Sequence, residues 1–311
     1  MDDYCVVIGA SNLDISGHAD YELITGDSTL GRVRTNAGGV GRNIACNVSK
    51  LGIKTCFLSA LGDDGFAKIV KDQTQNDNLR LIARTSRRFP TGVYLFIENS
   101  EGEMINAVND MAINGEIDIP FLDNHRTLIE QAPLVVVDTN IPAQSIGHIL
   151  EMNSNVVVDP VSTKKALKLI PYLDRIRIIK PNLIELEALS GCGEITDKES
   201  LYAAMSVLLA AGVREVVVSL GRHGAAYASA REWFIIQSPP MENITNTTGA
   251  GDAFVAGLAC SLLRKTTPQE MVKSAIACAM LTIQSETTIA MDLTKERIEE
   301  IKHESVFGYL S

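Results

Sequence analysis

The chain has 311 residues, 46% of them hydrophobic and 21% charged, a composition that fits an ordinary globular protein and excludes a disordered or fibrous one. Its formal net charge of −10 leaves no basic footprint for a nucleic-acid backbone or an anionic membrane, so a small molecule is the expected partner. Any phosphate on that molecule has to be held by local devices, such as a helix N-terminus or a bound cation, against the overall field.

The chain opens on an acidic Met1-Asp2-Asp3-Tyr4 before an apolar run at 4–10, which is the wrong order for a secretory signal. No apolar stretch reaches the roughly 18 residues that span a bilayer. The six cysteines are scattered, without a C-x-x-C pair, as suits buried thiols in a reducing compartment. A cytoplasmic protein is expected.

Between 15 and 35 the pattern has period two, that of antiparallel strands. A helix follows near residue 40, with Ile44, Val48 and Leu51 at helical spacing, and then an apolar strand at 54–60. Period two returns over about 79–110, with Val93-Tyr94-Leu95-Phe96-Ile97 and the turn chemistry of Asn99-Ser100-Glu101-Gly102. Apolar strands then recur at 134–138, 155–159, 177–180 and 215–220 between helical stretches. The last third reads as helices at 253–263, 268–283 and 294–303. Continuous apolar strands between helices imply a doubly wound, mostly parallel sheet with helices on both faces, an α/β fold. The two period-two segments, about 15–35 and 79–110, form a small β lid. With no linker or repeat in the sequence, residues 1–311 read as one domain, and the lid strands offer an edge for a homodimer.

Two glycine motifs carry the chemistry. Asn246-Thr247-Thr248-Gly249-Ala250-Gly251-Asp252-Ala253-Phe254 runs two glycines straight into an apolar helix. The first N–H groups of such a helix, with its positive dipole end, make an anion site, so Thr248, Gly249, Ala250 and Gly251 are placed to hold charge developing on a transferred phosphoryl group. Asp252 is a candidate base, because the dipole favours its ionised form and makes it ready to take a hydroxyl proton. A simple helix-starting Asp is the other reading of that residue. The second motif, Gly38-Gly39-Val40-Gly41-Arg42-Asn43, lacks the Lys-Ser/Thr ending of a P-loop and by itself reads as a tight loop before a helix.

In this order and at this separation the two motifs resemble the two signatures of the PfkB family of ribokinase-like carbohydrate kinases. The likeness covers nearly the whole chain, through Gly9-Ala10-Ser11-Asn12-Leu13-Asp14, Asp159-Pro160, Lys180-Pro181-Asn182-Leu183-Ile184-Glu185 and Ser219-Leu220-Gly221-Arg222-His223-Gly224. The resemblance implies a ribokinase-like fold, ATP with Mg²⁺, and Asp252 as the catalytic base. Asn12, Asp14, Gly38, Gly39 and Asn43 match the family's contacts to sugar hydroxyls, which a carboxylate and two amides suit. Asn182 and Glu185 match its N-x-x-E motif, in which the acid organises Mg²⁺ through water. Ser219, Gly221 and Gly224 match the loop beside the nucleotide, where Arg222 and His223 read equally as solvent-facing residues.

Within the family the likeness is to members that phosphorylate the C-nucleoside pseudouridine. It rests on the Gly-Gly-Val-Gly-Arg-Asn form of the first signature, Asn109-Asp110-Met111, Asp159-Pro160-Val161-Ser162 and Asn246. Phosphate would then go to the ribose 5′-hydroxyl, with the base beneath the lid near Thr91, Tyr94, Asn109 and Asp110. Ribose, a ketohexose or adenosine as acceptor stays open, as does a non-catalytic nucleotide or nucleoside sensor. Asn246 stands where many relatives have Asp near a monovalent cation, and the missing charge argues against K⁺ activation.

Overall fold

The computed structural model describes residues 4–241, 244–304 and 308–310. Its strands, in chain order, are β1 (Tyr4–Ile8), β2 (Asn12–Ala19), β3 (Gly31–Gly38), β4 (Lys54–Gly62), β5 (Leu79–Ser86), β6 (Gly92–Glu98), β7 (Met104–Asp110), β8 (Leu134–Asp138), β9 (Val156–Asp159), β10 (Ile178–Ile179), β11 (Glu215–Ser219), β12 (Ala225–Ser229), β13 (Trp233–Gln237) and β14 (Gly308–Leu310). The helices are α1 (Val40–Lys50), α2 (Gly65–Thr74), α3 (Ile119–Asp123), α4 (Arg126–Glu130), α5 (Ala143–Met152), α6 (Thr163–Ala166), α7 (Leu183–Ser190), α8 (Lys198–Ala210), α9 (Ala250–Leu263), α10 (Pro268–Ile283) and α11 (Lys295–Glu304).

A ten-stranded sheet in the order β14-β13-β12-β11-β10-β9-β8-β1-β4-β5 forms the body. From β5 to β11 the pairings are parallel, and β12, β13 and β14 close one edge antiparallel. Successive residues of a strand face opposite sides. Cys5 and Val7 therefore enter one core, shared with α1, α9 and α10, and Val6 and Ile8 enter the other, beneath α5, α7 and α8. Both faces being covered is why the strands are apolar without alternation. This is the expected α/β ribokinase-like fold.

The lid is a separate four-stranded sheet, β3-β2-β6-β7. Its root packs through Leu13 and Ala37 on Leu61, Ala67 and Val70. The lid is smaller than its sequence pattern implies: β5 pairs in parallel with β4 over eight residues and so belongs to the body. Period-two burial is common to a lid strand and to an edge strand of the main sheet, and the pattern cannot separate them. The antiparallel edge of β12 and β13 is also absent from the helical reading of the last third. Among the described residues no helix is long and apolar enough to cross a membrane.

Candidate active site

Parallel strands deliver their carboxyl ends to one edge of the sheet, and ligand sites of open α/β folds form there. Here three neighbouring strands run from apolar residues into a buried charge: β8 ends on Asp138, β9 on Asp159, and β10 leads into Lys180. Lys180 and Asp159 form an ion pair at 3.0 Å. The helix α9 points its first turn at this edge, with Gly249 as N-cap, Ala250 and Gly251 as the first helical residues, and Asp252 next. Gly249 has φ 85°, and a side chain there would overlap the Thr288 carbonyl, so the approach to α9 requires glycine.

Asp252 is 8% exposed and accepts a hydrogen bond from Asn43 Nδ2 at 2.8 Å. Burial pushes its pKa up to about 8, helped by the nearby Asp159 and Asp138 carboxylates and opposed by the Asn43 amide and the Lys180 ammonium. This corrects the expectation that the helix dipole keeps Asp252 ionised. Desolvation among like charges outweighs a dipole worth only fractions of a kcal/mol up to about 2 kcal/mol.

The first glycine motif brings the acceptor-side residues to the same place. Asn12 donates to Asp14 at 2.6 Å, and Gly38 lies against the Asp14 carboxylate so closely that any Cβ would overlap it. Burial raises the Asp14 pKa, with the Asn12 bond and the Arg42 charge acting the other way. Gly39 is the N-cap of α1, whose next turn carries Asn43 towards Asp252. Arg42 lies beside the site and donates to the Asn43 side-chain oxygen at 3.3 Å. Its guanidinium donates to the Ala37 and Gln73 carbonyls at 2.8 and 2.6 Å and to Thr74 at 3.1 Å, tying the root of β3 to the end of α2.

The lid register decides which side chains share the Asp14 face. Asp14 pairs with Asn36 and Tyr94, and Tyr94 with Asn109, so these four form one cross-strand row. Asp110 falls in the next row, with Val93, Leu13 and Ala37, on the opposite face. Adjacent strand residues alternate, so Asn109 and Asp110 do not share a face as expected: Asn109 is on the Asp14 side and Asp110 is not. Thr91 is likewise displaced from the expected contact. It is buried, donates its hydroxyl to Asp64 at 2.8 Å, accepts from Gly62 N–H at 2.9 Å, and gives its own N–H to Asp64 at 2.7 Å.

On the other side of α9 lies a cavity of about 710 Å³. Asn182, Ser219, Gly221, Gly224, Ala250 and Gly251 line its polar end, together with Arg222 and His223, and Met241, Ile244, Ile276 and Ile283 line an apolar slot. Thr248 binds Asn246 instead, its N–H donating to the Asn246 side-chain oxygen at 2.9 Å. The i,i+3 pair Asn182 and Glu185 forms a capping box on α7: Asn182 Oδ1 accepts Glu185 N–H and Glu185 Oε2 accepts Asn182 N–H, both at 2.9 Å. Burial raises the Glu185 pKa despite that N–H and the Lys180 charge. Glu187 points away and holds the Ile195 N–H at 2.9 Å.

The sequence reading gave no role to Lys180, Asp159 or Asp138. Their signal was present in Ile-Ile-Lys and twice in Val-Val-Val-Asp, apolar strands each closed by a charge. A charge at the carboxyl end of a buried parallel strand faces the ligand edge.

The profile of pfkB family carbohydrate kinases matches residues 2–295. Over 298 residues the chain is 34% identical to the pseudouridine kinase of Escherichia coli (strain K12), covering 94% of each protein. A carbohydrate kinase from Agrobacterium tumefaciens superposes with TM-score 0.86 at 25% identity, over 100% of both chains. Arabidopsis thaliana ribokinase, in a structure complexed with ribose and ATP, gives TM-score 0.85 at 25% identity over 97% of this chain and 99% of its own.

Proposed function

The chain belongs to the pfkB family of carbohydrate kinases, and from that premise we propose that it transfers the γ-phosphoryl group of ATP to the ribose 5′-hydroxyl of pseudouridine. Phosphotransfer to a sugar or nucleoside is the activity of the family. The observation that carries the phosphotransfer chemistry is the bond from Asn43 to Asp252, which joins the first glycine motif to a buried carboxylate at the start of α9.

ATP occupies the cavity beside Gly221 and Gly224, with its phosphates towards the α9 N-terminus. The backbone N–H groups of Gly249, Ala250 and Gly251 face charge that grows during transfer. Asn12, Asp14 and Asn43 orient the ribose, and Asp252 takes the proton of the attacking hydroxyl. For the acceptor, support comes from the likeness to a pseudouridine kinase and from the Asn36, Asp14, Tyr94 and Asn109 row. Amides offer both donor and acceptor to the imide edge of a uracil ring, and Tyr94 offers it a flat surface.

Mg²⁺ fits the site as an ion carried by the nucleotide. Glu185 keeps one carboxylate oxygen outside its capping bond, and among the described residues no three His, Cys, Asp or Glu side chains are grouped to hold a metal ion. Glu185 would hold such an ion through water, and the ion would neutralise phosphate charge. Asn246 carries no charge and its oxygen is bonded to Thr248 N–H, so activity should be the same in K⁺ and Na⁺ salts.

Phosphorylation by the purified protein with Mg-ATP, comparing pseudouridine, uridine, adenosine, ribose and fructose, tests the acceptor. A preference for pseudouridine supports the reading, and preference for another acceptor replaces it while leaving the Asp252 chemistry in place.

A further inference from the structure

Lys180 is a buried cation, 5% exposed, at the meeting point of three elements. Its ammonium pairs with Asp159 at 3.0 Å, and it also lies 3.5 Å from where a side chain on Gly251 would begin. That position is against the first turn of α9, on the wall that also lines the nucleotide cavity. Asp159, Glu185 and Asp252 all bear on it, and although burial opposes its charge, these carboxylates hold its pKa above the ordinary lysine value.

We propose that the Lys180 ammonium contacts the phosphoryl group in transit between ATP and the acceptor. This rests on the kinase reading above and adds a residue to it. A tetra-anionic phosphate chain arriving beside buried Asp138, Asp159, Glu185 and Asp252 meets repulsion that the backbone N–H groups of α9 offset only in part. Lys180 supplies the opposing charge where it is needed, and the ion pair with Asp159 uses one of its three N–H groups. Arg42, the other buried cation near this edge, is already engaged by Ala37, Gln73, Thr74 and the Asn43 side-chain oxygen.

Asp159 is held for this task. Its Oδ1 accepts the Val161 N–H at 2.8 Å while Oδ2 faces Lys180. Val161 keeps φ 63°, a left-handed conformation that is costly for a β-branched residue. Such distortion concentrates at functional sites. Stability does not explain the pair, since buried ion pairs are often no better than apolar packing.

Titration calorimetry with Mg-ATP and Mg-ADP on the wild type, Lys180→Met and Lys180→Arg tests the contact without any acceptor. Contact with the transferred group predicts that Lys180→Met loses about tenfold or more in ATP affinity and less than about threefold in ADP affinity. Lys180→Arg should recover most of the difference. Equal losses for the two nucleotides, or no loss, overturn the proposal. On an acceptor that the wild type phosphorylates, kcat of Lys180→Met should fall about 10²–10³-fold at unchanged acceptor KM, and a kcat within about threefold overturns it as well. Should Lys180→Met fail to fold, the double variant Lys180→Met with Asp159→Asn, which leaves no unpaired charge, gives the same readouts. A wild type that transfers to no acceptor, yet distinguishes ATP from ADP through Lys180, sinks the acceptor reading and keeps this one.

Discussion

Asn43 in α1 and Asp252 in α9 are 209 residues apart in sequence and 2.8 Å apart in space. Their helices pack face to face on one side of the main sheet, and each reaches the ligand edge through a glycine at its N-cap. The bond therefore links the two glycine motifs, and it bears on the acidity of Asp252: the Asn43 amide favours the ionised form that burial disfavours.

Replacing Asp252 by Asn keeps the shape and the Asn43 bond but removes the proton acceptor. Turnover should fall about 10²–10⁴-fold, with acceptor binding retained in calorimetry. Turnover within about tenfold of wild type would take the base assignment away from Asp252.

The same variant should be more stable than the wild type at alkaline pH. The folded pKa of Asp252, about 8, lies above that of an unfolded carboxyl. Its contribution to stability is fully present below about pH 4 and is lost as pH rises through about 8. Asp252→Asn does not suffer this loss, so its melting temperature should exceed that of the wild type by an amount that grows across this window. The difference at the alkaline end is on the order of a few kcal/mol. A constant offset at all pH values would contradict it.

For activity the sign is opposite, because the base works when deprotonated. In the free enzyme kcat/KM should rise with pH and level off above about 8. Asn43→Ala removes a group that holds this pKa down and should move the midpoint to higher pH. A profile unchanged by Asn43→Ala would show that the bond does not tune the base.

Gly38→Ala places a methyl group on the Asp14 carboxylate. Acceptor KM should rise about tenfold or more, equivalent to about 1.4 kcal/mol, with the KM for ATP unchanged. Equal effects on both substrates would point to a general disturbance of the fold.

Thr91→Val removes a hydroxyl that bridges Asp64 and Gly62 beneath the lid. It should cost about 1–3 kcal/mol of stability by leaving buried partners unsatisfied. Denaturant titration and acceptor KM measured together separate this role from substrate contact, which would raise KM at constant stability.

What could be read from the sequence followed from whether the signal was local. Apolar strands between helices, the glycines at 38–39 and 249–251 and the start of α9 were legible because each is a short pattern with one physical cause. The side of a lid strand was not legible: whether Asn109 or Asp110 faces Asp14 depends on register with β6, a long-range pairing. The ionisation of Asp252 was misjudged for a similar reason, since its neighbours Asp159 and Asp138 come from distant strands. Asn182 and Glu185 were read as a metal-organising pair, and the capping box that the same spacing makes on α7 came from the structure.

Arg42 has a mechanical consequence. By bolting the Ala37 carbonyl to the end of α2, it makes the root of β3 part of the rigid body. Any flexing of the small sheet has its fulcrum beyond that bolt, next to the Asn36 and Asp14 pair. Asp14 and its row partners Tyr94 and Asn109 thus sit near the pivot, whereas the far ends of β2 and β3, at Ala19 and Gly31, lie farthest from it and would sweep the longest arc. The row that carries Asp14 is thereby held still against the body while the outer end of the same sheet is left free to move.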